Sequence, residues 1–537
     1  MTERVRRPNI VLIMCDQLRA DFLSSAGFPL PTTPALDAWA AGGVTFGRAY
    51  TSSPLCTPAR ASLLTGRFPH AHGLRGNFPR GVRFDYDLEQ VLHRLGYHVA
   101  LVGKNHSYLR PEQFDFQRPY SHAFAPPRGA GSVGGTGMGA GAASTDEFTR
   151  WLRRLNHGVA TEPTPFPLED QYPVRIVDES IVHLQQRRAQ APGQPFFLWM
   201  SFPEPHNPYQ VPAPYFDLFP PDRVPDRAAG PEVLARKPFP WAWERDLMRH
   251  VYPNVDDLWR RARSNYCGMV RLIDDQLARF FAYLQDSGLA ETTHVIFLAD
   301  HGDYVGEYGL LRKGVGLPEC LIRMPLIWRG PGIAVGRRED TAHVSIVDVF
   351  PTLCEILGVP LPIGVQGRSL LPLLRGEPYP AEEFASILVE VGLGGLAYTA
   401  GDAAAFGFED RTAYHPSAEP GGAPTFDELN SLTLSGRLKA VRAGDWKLIY
   451  DWQRPREVEL YCLRDDPAEL QNRATDPSPE PQINAQQLFA DLLRWTIRTE
   501  DDWPLARYRL KRHPRNWLFT GEGRIEPVPP EERPELR

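Results

Sequence analysis

Continuous apolar runs at Asn9 to Cys15, Tyr97 to Val102, Pro195 to Phe202, His294 to Ala299 and Pro325 to Trp328 constrain this chain most. Each is a short unbroken stretch of the type a buried strand needs. Between them lie segments of helical periodicity, at Leu36 to Gly42, Leu88 to Leu95, Tyr266 to Gly288 and Ile346 to Leu357. Gly96 stops the second of these. Strand and helix in alternation predict an α/β sandwich with a mainly parallel central sheet flanked by helices.

The pattern changes after about residue 370, the order of one large domain. Leu438 to Arg442, Trp446 to Asp451 and Val458 to Leu463 read as three short antiparallel strands, with turn signals at Gly444-Asp445 and around Pro455. A helix follows from Gln482 to Arg498. A chain of 537 residues exceeds one ordinary core. The expected division is therefore a catalytic-sized domain over 1–375 and a smaller domain over 376–537 with an antiparallel sheet and a helix. Residues 125–145, rich in Gly and Ala, read as a surface loop. Residues 205–240 read as Pro-rich irregular chain, and the last twenty residues as an arm or a frayed tail; an arm could dock on a neighbouring copy in a homo-oligomer, and the oligomeric state is left open.

A net charge of −6 gives no basic excess for nucleic acid or an anionic membrane. Arg4, Arg6 and Arg7 precede only six apolar residues, Ile10 to Cys15, which read as a strand rather than a leader. No stretch approaches the roughly 20 apolar residues that span a bilayer. Six scattered cysteines, at 15, 56, 267, 320, 354 and 462, suggest a reducing compartment, so the cytoplasm is the expected location. Cys15 reads as a core thiol.

In open α/β sheets, ligands bind beyond the carboxyl ends of strands. Asp16, Lys104, Glu204 to His206, and Asp300-His301 all fall there. Asp16, Gln17, Asp300 and His301 could meet on one divalent cation. Oxygen-rich ligation favours Ca²⁺, and the imidazole admits Mn²⁺ or Zn²⁺.

Cys56-Thr57-Pro58-Ala59-Arg60, continuing Ala61-Ser62-Leu63-Leu64-Thr65-Gly66-Arg67, resembles the signature of the type I sulfatases of the alkaline phosphatase superfamily. The resemblance implies that a formylglycine-generating maturation enzyme oxidises Cys56 to an aldehyde, whose hydrate is the nucleophile. It places Asp16, Gln17, Asp300 and His301 on the family's metal ligands, with the modified Cys56 completing the set. Gly103-Lys104-Asn105-His106 resembles the family's G-K-x-H segment. Lys104 would then bind the ester oxygens, and His106 would contact the formylglycine oxygen. His206, in Ser201 to His206, resembles the histidine that serves the leaving group. Lys313 resembles the lysine that follows the D-[NH]-G segment. Arg60 would hold the nucleophile's surroundings, and Asn77 would touch the sulfuryl oxygens. His70 and His72 read as loop residues beyond the nucleophile helix, outside the ligand set.

The likeness continues through Lys439 to Tyr450, Glu459-Leu460-Tyr461 and Asp465 to Glu469, which resemble the end of bacterial sulfatases. Gln17 and His301 depart from the commoner aspartate and asparagine. Both variants occur in phosphonate monoester hydrolases and choline-sulfatase-like enzymes, whereas the G-K-x-H segment favours sulfate. The implied activity is hydrolysis of a small anionic sulfuric ester, aryl or alkyl. The alternatives are a phosphonate monoester or phosphodiester hydrolase using the same site, and a non-catalytic metal-binding protein with Cys56 unmodified. The loop at 125–145, the stretch at 205–240 and residues 395–430 are expected to shape the pocket for the organic part.

Overall fold

The computed structural model describes residues 7–77, 84, 86–120, 142–155, 158–362, 364–393, 401, 436–499, 508–510 and 525–527. The large sheet uses eight strands: β1 (Asn9–Asp16), β2 (Val44–Phe46), β3 (His98–Gly103), β4 (Phe116–Pro119), β5 (Phe196–Pro205), β6 (Thr293–Ala299), β7 (Leu326–Arg329) and β8 (Arg337–Glu339). Their order is β4-β3-β5-β1-β6-β7-β2-β8. Every neighbouring pair is parallel except the two that β7 makes. All eight residues of β1 are buried, as its unbroken apolar run demands of a central strand.

Six helices frame this sheet: α1 (Pro34–Ala40), α2 (Cys56–Thr65), α3 (Leu88–Arg94), α4 (Tyr172–Gln190), α5 (Val255–Asp286) and α6 (Val349–Ile356). α1 and α4 pack on α5, and α2 packs on α3 and α6. Trp39 of α1 stacks on Phe281 of α5 with ring centroids 4.3 Å apart. α3 starts at Asp87, whose carboxylate accepts the Gln90 N–H at 3.0 Å. It ends before Gly96 at φ 80°.

The C-terminal sheet has four antiparallel strands in sequence order: β9 (Ser386–Val391), β10 (Leu438–Ala443), β11 (Trp446–Asp451) and β12 (Glu459–Cys462). The three expected strands are β10 to β12, and β9 adds the fourth. Helix α7 (Pro479–Thr499) crosses it, and Trp495 donates its indole N–H to Ser386 Oγ at 3.0 Å. Glu390 of β9 reaches His70 Nδ1 at 2.8 Å, so this sheet is pinned beside the end of α2. One buried apolar cluster holds residues of both sheets.

Several expectations change in detail. α5 begins eleven residues before Tyr266, at Val255. His70 and His72 lie in a short buried helix, Pro69–His72, rather than a loop, and His72 Nε2 meets Ser62 Oγ at 3.1 Å. Residues 142–145, read as loop, open a helix, Ala142–Arg154. Residues 125–141, and 395–430 apart from 401, lie outside the described residues. The expected terminal arm supplies one strand, Ile525–Pro527, paired antiparallel with Tyr508–Leu510. Among the described residues no helix is long and apolar enough to cross a membrane.

Two backbone features aim the site. The register of β1 on β5 shifts between Cys15 and Asp16, an irregularity that leaves Asp16 opposite Pro205 at the end of the ladder. Gly103 closes β3 at φ 115°, and a Cβ there would stand 1.9 Å from the Ser201 carbonyl oxygen. Only glycine lets β3 end this close to β5, and the next residue is Lys104.

Candidate active site

Cys56 is the first residue of α2 and is 1% exposed. Its Sγ lies 3.3 Å from His301 Nε2, 3.4 Å from Lys313 Nζ, 3.7 Å from Asp16 Oδ1 and 3.8 Å from Lys104 Nζ. Residues from two strand ends, β1 and β6, and from the loops after β3 and β6 thus converge on one helix start. Burial and Asp16 push the thiol up, but Lys104, Lys313 and His301 outweigh them and hold it well below the usual thiol range. The position is one where negative charge is welcome.

Arg60 lies one turn along α2. Its Nε donates to Asp300 Oδ2 at 3.0 Å and its NH2 to Asp16 Oδ2 at 3.2 Å. NH1 serves Lys104 O at 2.8 Å, Asn105 O at 3.0 Å and Ser201 Oγ at 2.9 Å. This fork matches what a buried guanidinium needs, and it locks three strand ends to one helix. Lys104 Nζ also pairs with Asp16.

Asp16, Cys56, Asp300 and His301 each offer a ligand atom, all within 4.8 Å of one another and all buried. His301 Nδ1 lies 2.9 Å from the Gly302 carbonyl oxygen. That contact fixes the ring through the Nδ1 proton and leaves Nε2 facing the centre. Gln17, at φ 69°, turns its Oε1 to Lys313 Nζ at 2.8 Å. Two carboxylates, one imidazole nitrogen and one amide oxygen form a donor set that fits a divalent cation.

Three expected residues stand differently from the rest. Asn77 Oδ1 accepts the Thr57 N–H at 3.0 Å, so its oxygen caps α2 instead of facing a ligand. His106, at φ 40°, takes Thr57 Oγ1 on its carbonyl at 3.1 Å, and its Nδ1 is buried with no partner among the described residues. Burial, then Lys104 and Arg60, hold this imidazole well below the usual range. His206 sits just past β5 with Nδ1 2.7 Å from the Asn207 carbonyl oxygen. The structure gives neither histidine a hydrogen bond to Cys56 among the described contacts.

Some supporting residues escaped the sequence reading. Ser201 takes the Lys104 N–H on its carbonyl at 2.8 Å and Arg60 on its hydroxyl. Tyr266 donates to the Gln17 carbonyl at 2.7 Å. Asp303 accepts from Gln17 Nε2 and, at 2.9 Å, from Tyr209. Asp303 directly follows the Asp300-His301-Gly302 segment; Tyr209 and Tyr266 carry no motif that would expose them.

The sulfatase family model matches residues 8–359. The chain belongs to the sulfatase family. Among its relatives, the arylsulfatase of Clostridium perfringens is 31% identical over 393 residues, covering 69% of this sulfatase and 79% of that protein. The multifunctional alkaline phosphatase superfamily protein PehA of Trinickia caryophylli is 30% identical over 413 residues, covering 69% and 78%. The phosphonate monoester hydrolase of Agrobacterium radiobacter shares the fold, with a TM-score of 0.68 over 92% of this sulfatase and 96% of that chain at 23% identity.

Proposed function

We propose that this sulfatase releases inorganic sulfate from an aryl or alkyl sulfate, with Cys56 matured to formylglycine. The observation that carries the reading is the place of Cys56 Sγ, between His301, Lys313 and Asp16 at 3.3 to 3.7 Å. In the matured protein the gem-diol oxygens stand where Sγ stands. Asp16, Gln17, Asp300 and His301 would hold one divalent cation, with Ca²⁺ the first choice and Mn²⁺ or Zn²⁺ the alternatives. Such an ion supplies charge stabilisation for the ester oxygens and the attacking hydroxyl.

The chain's own groups do the rest. Lys104 and Lys313 bind the anionic ester and meet the charge that grows on its equatorial oxygens. One hydroxyl of the diol, its proton first lost to solvent, attacks sulfur in line, and the ester oxygen leaves with a proton from His206. His106, whose Nδ1 has no partner among the described residues, takes the proton of the second hydroxyl. The C–O bond to the sulfate then breaks as the aldehyde reforms, sulfate departs, and water restores the diol. A thiol or serine would instead leave a sulfate ester that water must cleave at sulfur. Asn77 acts through the start of α2, and Arg60 through the two carboxylates it joins.

The donor set with Gln17 and His301 supports a second reading, hydrolysis of phosphonate monoesters or phosphodiesters at the same centre. A panel of aryl sulfate, alkyl sulfate, phosphonate monoester and phosphodiester, with Ca²⁺ or Mn²⁺, separates the two. The sulfate esters should be turned over fastest. A phosphonate monoester hydrolysed far faster would replace the first reading by the second. If Cys56 carries a free thiol in protein from its native host, both give way to a non-catalytic metal-binding role. The cytoplasmic location also stands as a proposal, supported by six unpaired cysteines. We also propose the division at 375, supported by the four-stranded antiparallel sheet built entirely beyond it.

A further inference from the structure

Gln17 is the one proposed ligand whose two side-chain ends differ chemically. An amide turned by half a rotation would offer the cation an NH₂ group. Something must decide which end faces inward, and the backbone does not. The Gln17 N–H goes to Asp300 Oδ1 at 3.0 Å and its C=O to the Tyr266 hydroxyl at 2.7 Å, which places the residue but leaves the amide plane free.

We propose that Asp303 is the positioning residue that holds the Gln17 carboxamide with its oxygen toward the cation site. The inference rests on the metal reading above. Asp303 is fully buried, and three donors point at it: Gln17 Nε2, the Tyr209 hydroxyl at 2.9 Å and the Val305 N–H at 2.8 Å. Tyr209 itself accepts the Arg312 N–H at 3.0 Å, so its own proton is committed to Asp303. The carboxylate therefore acts as an acceptor. Asn207 Oδ1, 3.4 Å away, gives Nε2 a second acceptor. On the other side Lys313 can only donate, and it stands 2.8 Å from Oε1. A flipped amide would set nitrogen against ammonium and oxygen against carboxylate, losing both contacts at once.

Asp303 reaches no proposed ligand other than Gln17 among its hydrogen bonds, so its effect passes through that one side chain. This gives the test a polarity to reverse. In Asp303→Asn the amide at 303 can pair with Gln17 in either orientation. In the double variant Gln17→Glu with Asp303→Asn, residue 303 donates where it used to accept. Residue 17 then has oxygen at both ends, so no orientation is wrong.

The experiment is Mn²⁺ titration by calorimetry of the full chain, with the melting shift on adding Mn²⁺ as a second readout. Asp303→Asn is expected to weaken Mn²⁺ binding by about 10- to 100-fold, the scale of partners that orient metal ligands. The double variant should regain most of that loss. Circular dichroism confirms that each protein is folded, and the double variant keeps the buried pair satisfied if the single one does not fold. Unchanged affinity in Asp303→Asn, or a double variant that binds no better than Asp303→Asn, overturns the inference. If the parent chain binds Mn²⁺ and Asp303→Asn binds it equally, the inference alone fails. If the parent binds no divalent ion, the proposed metal site fails with it.

Discussion

Arg60 holds Asp300 at 3.0 Å with its Nε, joining the start of helix α2 to the end of strand β6. The same guanidinium holds Asp16 at the end of β1. All three side chains are fully buried. Arg60→Ala removes the guanidinium that two buried carboxylates share. Breaking a buried pair costs about 3–5 kcal/mol, and guanidinium denaturation should read a loss of that order. A loss below about 1 kcal/mol, the scale of an exposed pair, would contradict the clamp.

Cys56 carries the proposed chemistry but little of the fold. Cys56→Ala should leave the melting temperature close to the parent's while sulfate release falls by at least about a thousandfold, as when a nucleophile acting within a unit is removed. Mass spectrometry of the Ala49 to Arg60 tryptic peptide checks the maturation itself: protein from the native host should be lighter at residue 56 than the encoded cysteine.

Asn77 separates a cap from a substrate contact. Asn77→Ala should cost about 0.5–2 kcal/mol of stability, as loss of a helix N-cap does. Asn77→Asp keeps an acceptor for the Thr57 N–H, so stability should hold. A negative charge beside an anionic ester should then raise KM. Equal stability in Asn77→Ala and the parent would mean that the cap contributes nothing.

Buried imidazoles set the acid limit. Burial, the largest cause in each case, drives His72 and His343 down to about 3 and His294 down to about 4, against an ordinary 6.5. Below pH 6.5 the unfolded chain takes up protons that the folded chain refuses. Stability therefore falls as pH drops through that window. Glu204 and Glu244, pushed up to about 8 by burial from 4.5, act in the opposite sense. The folded chain keeps their protons between 4.5 and 8, so they remove stability as pH rises there. The histidines, His183 at about 4 among them, should lower the melting temperature from pH 6.5 toward 5, with Asp87 and Asp274, pushed up to about 6 by burial, offsetting part of the decline. Glu244→Gln should flatten part of the decline from pH 6.5 to 8. A flat acid profile would rule out neutral buried imidazoles.

The fold was legible because strand and helix alternate with clean apolar runs, and the site because its polar groups interrupt those runs where each strand stops. Asp16 and Asp300 announce themselves as charges directly after six- and five-residue apolar stretches. The contact of Asn77 Oδ1 with the Thr57 N–H was not legible, because spacing cannot locate the helix start it serves. The early turns of α5 were missed because Asp256 to Arg263 carry mostly charged residues that dilute the periodicity. Asp303, Tyr209 and Tyr266 act through single hydrogen bonds between residues up to 286 positions apart, and no local pattern encodes such pairs.

All ten residues of α2, Cys56 among them, are buried. An enzyme that rewrites the side chain at 56 cannot dock on it once the helix has closed against its neighbours. On the formylglycine reading proposed above, the rewriting would come during synthesis, while the segment is still slack. A host that makes the protein faster than it can process the nascent segment would accumulate folded but chemically inert molecules.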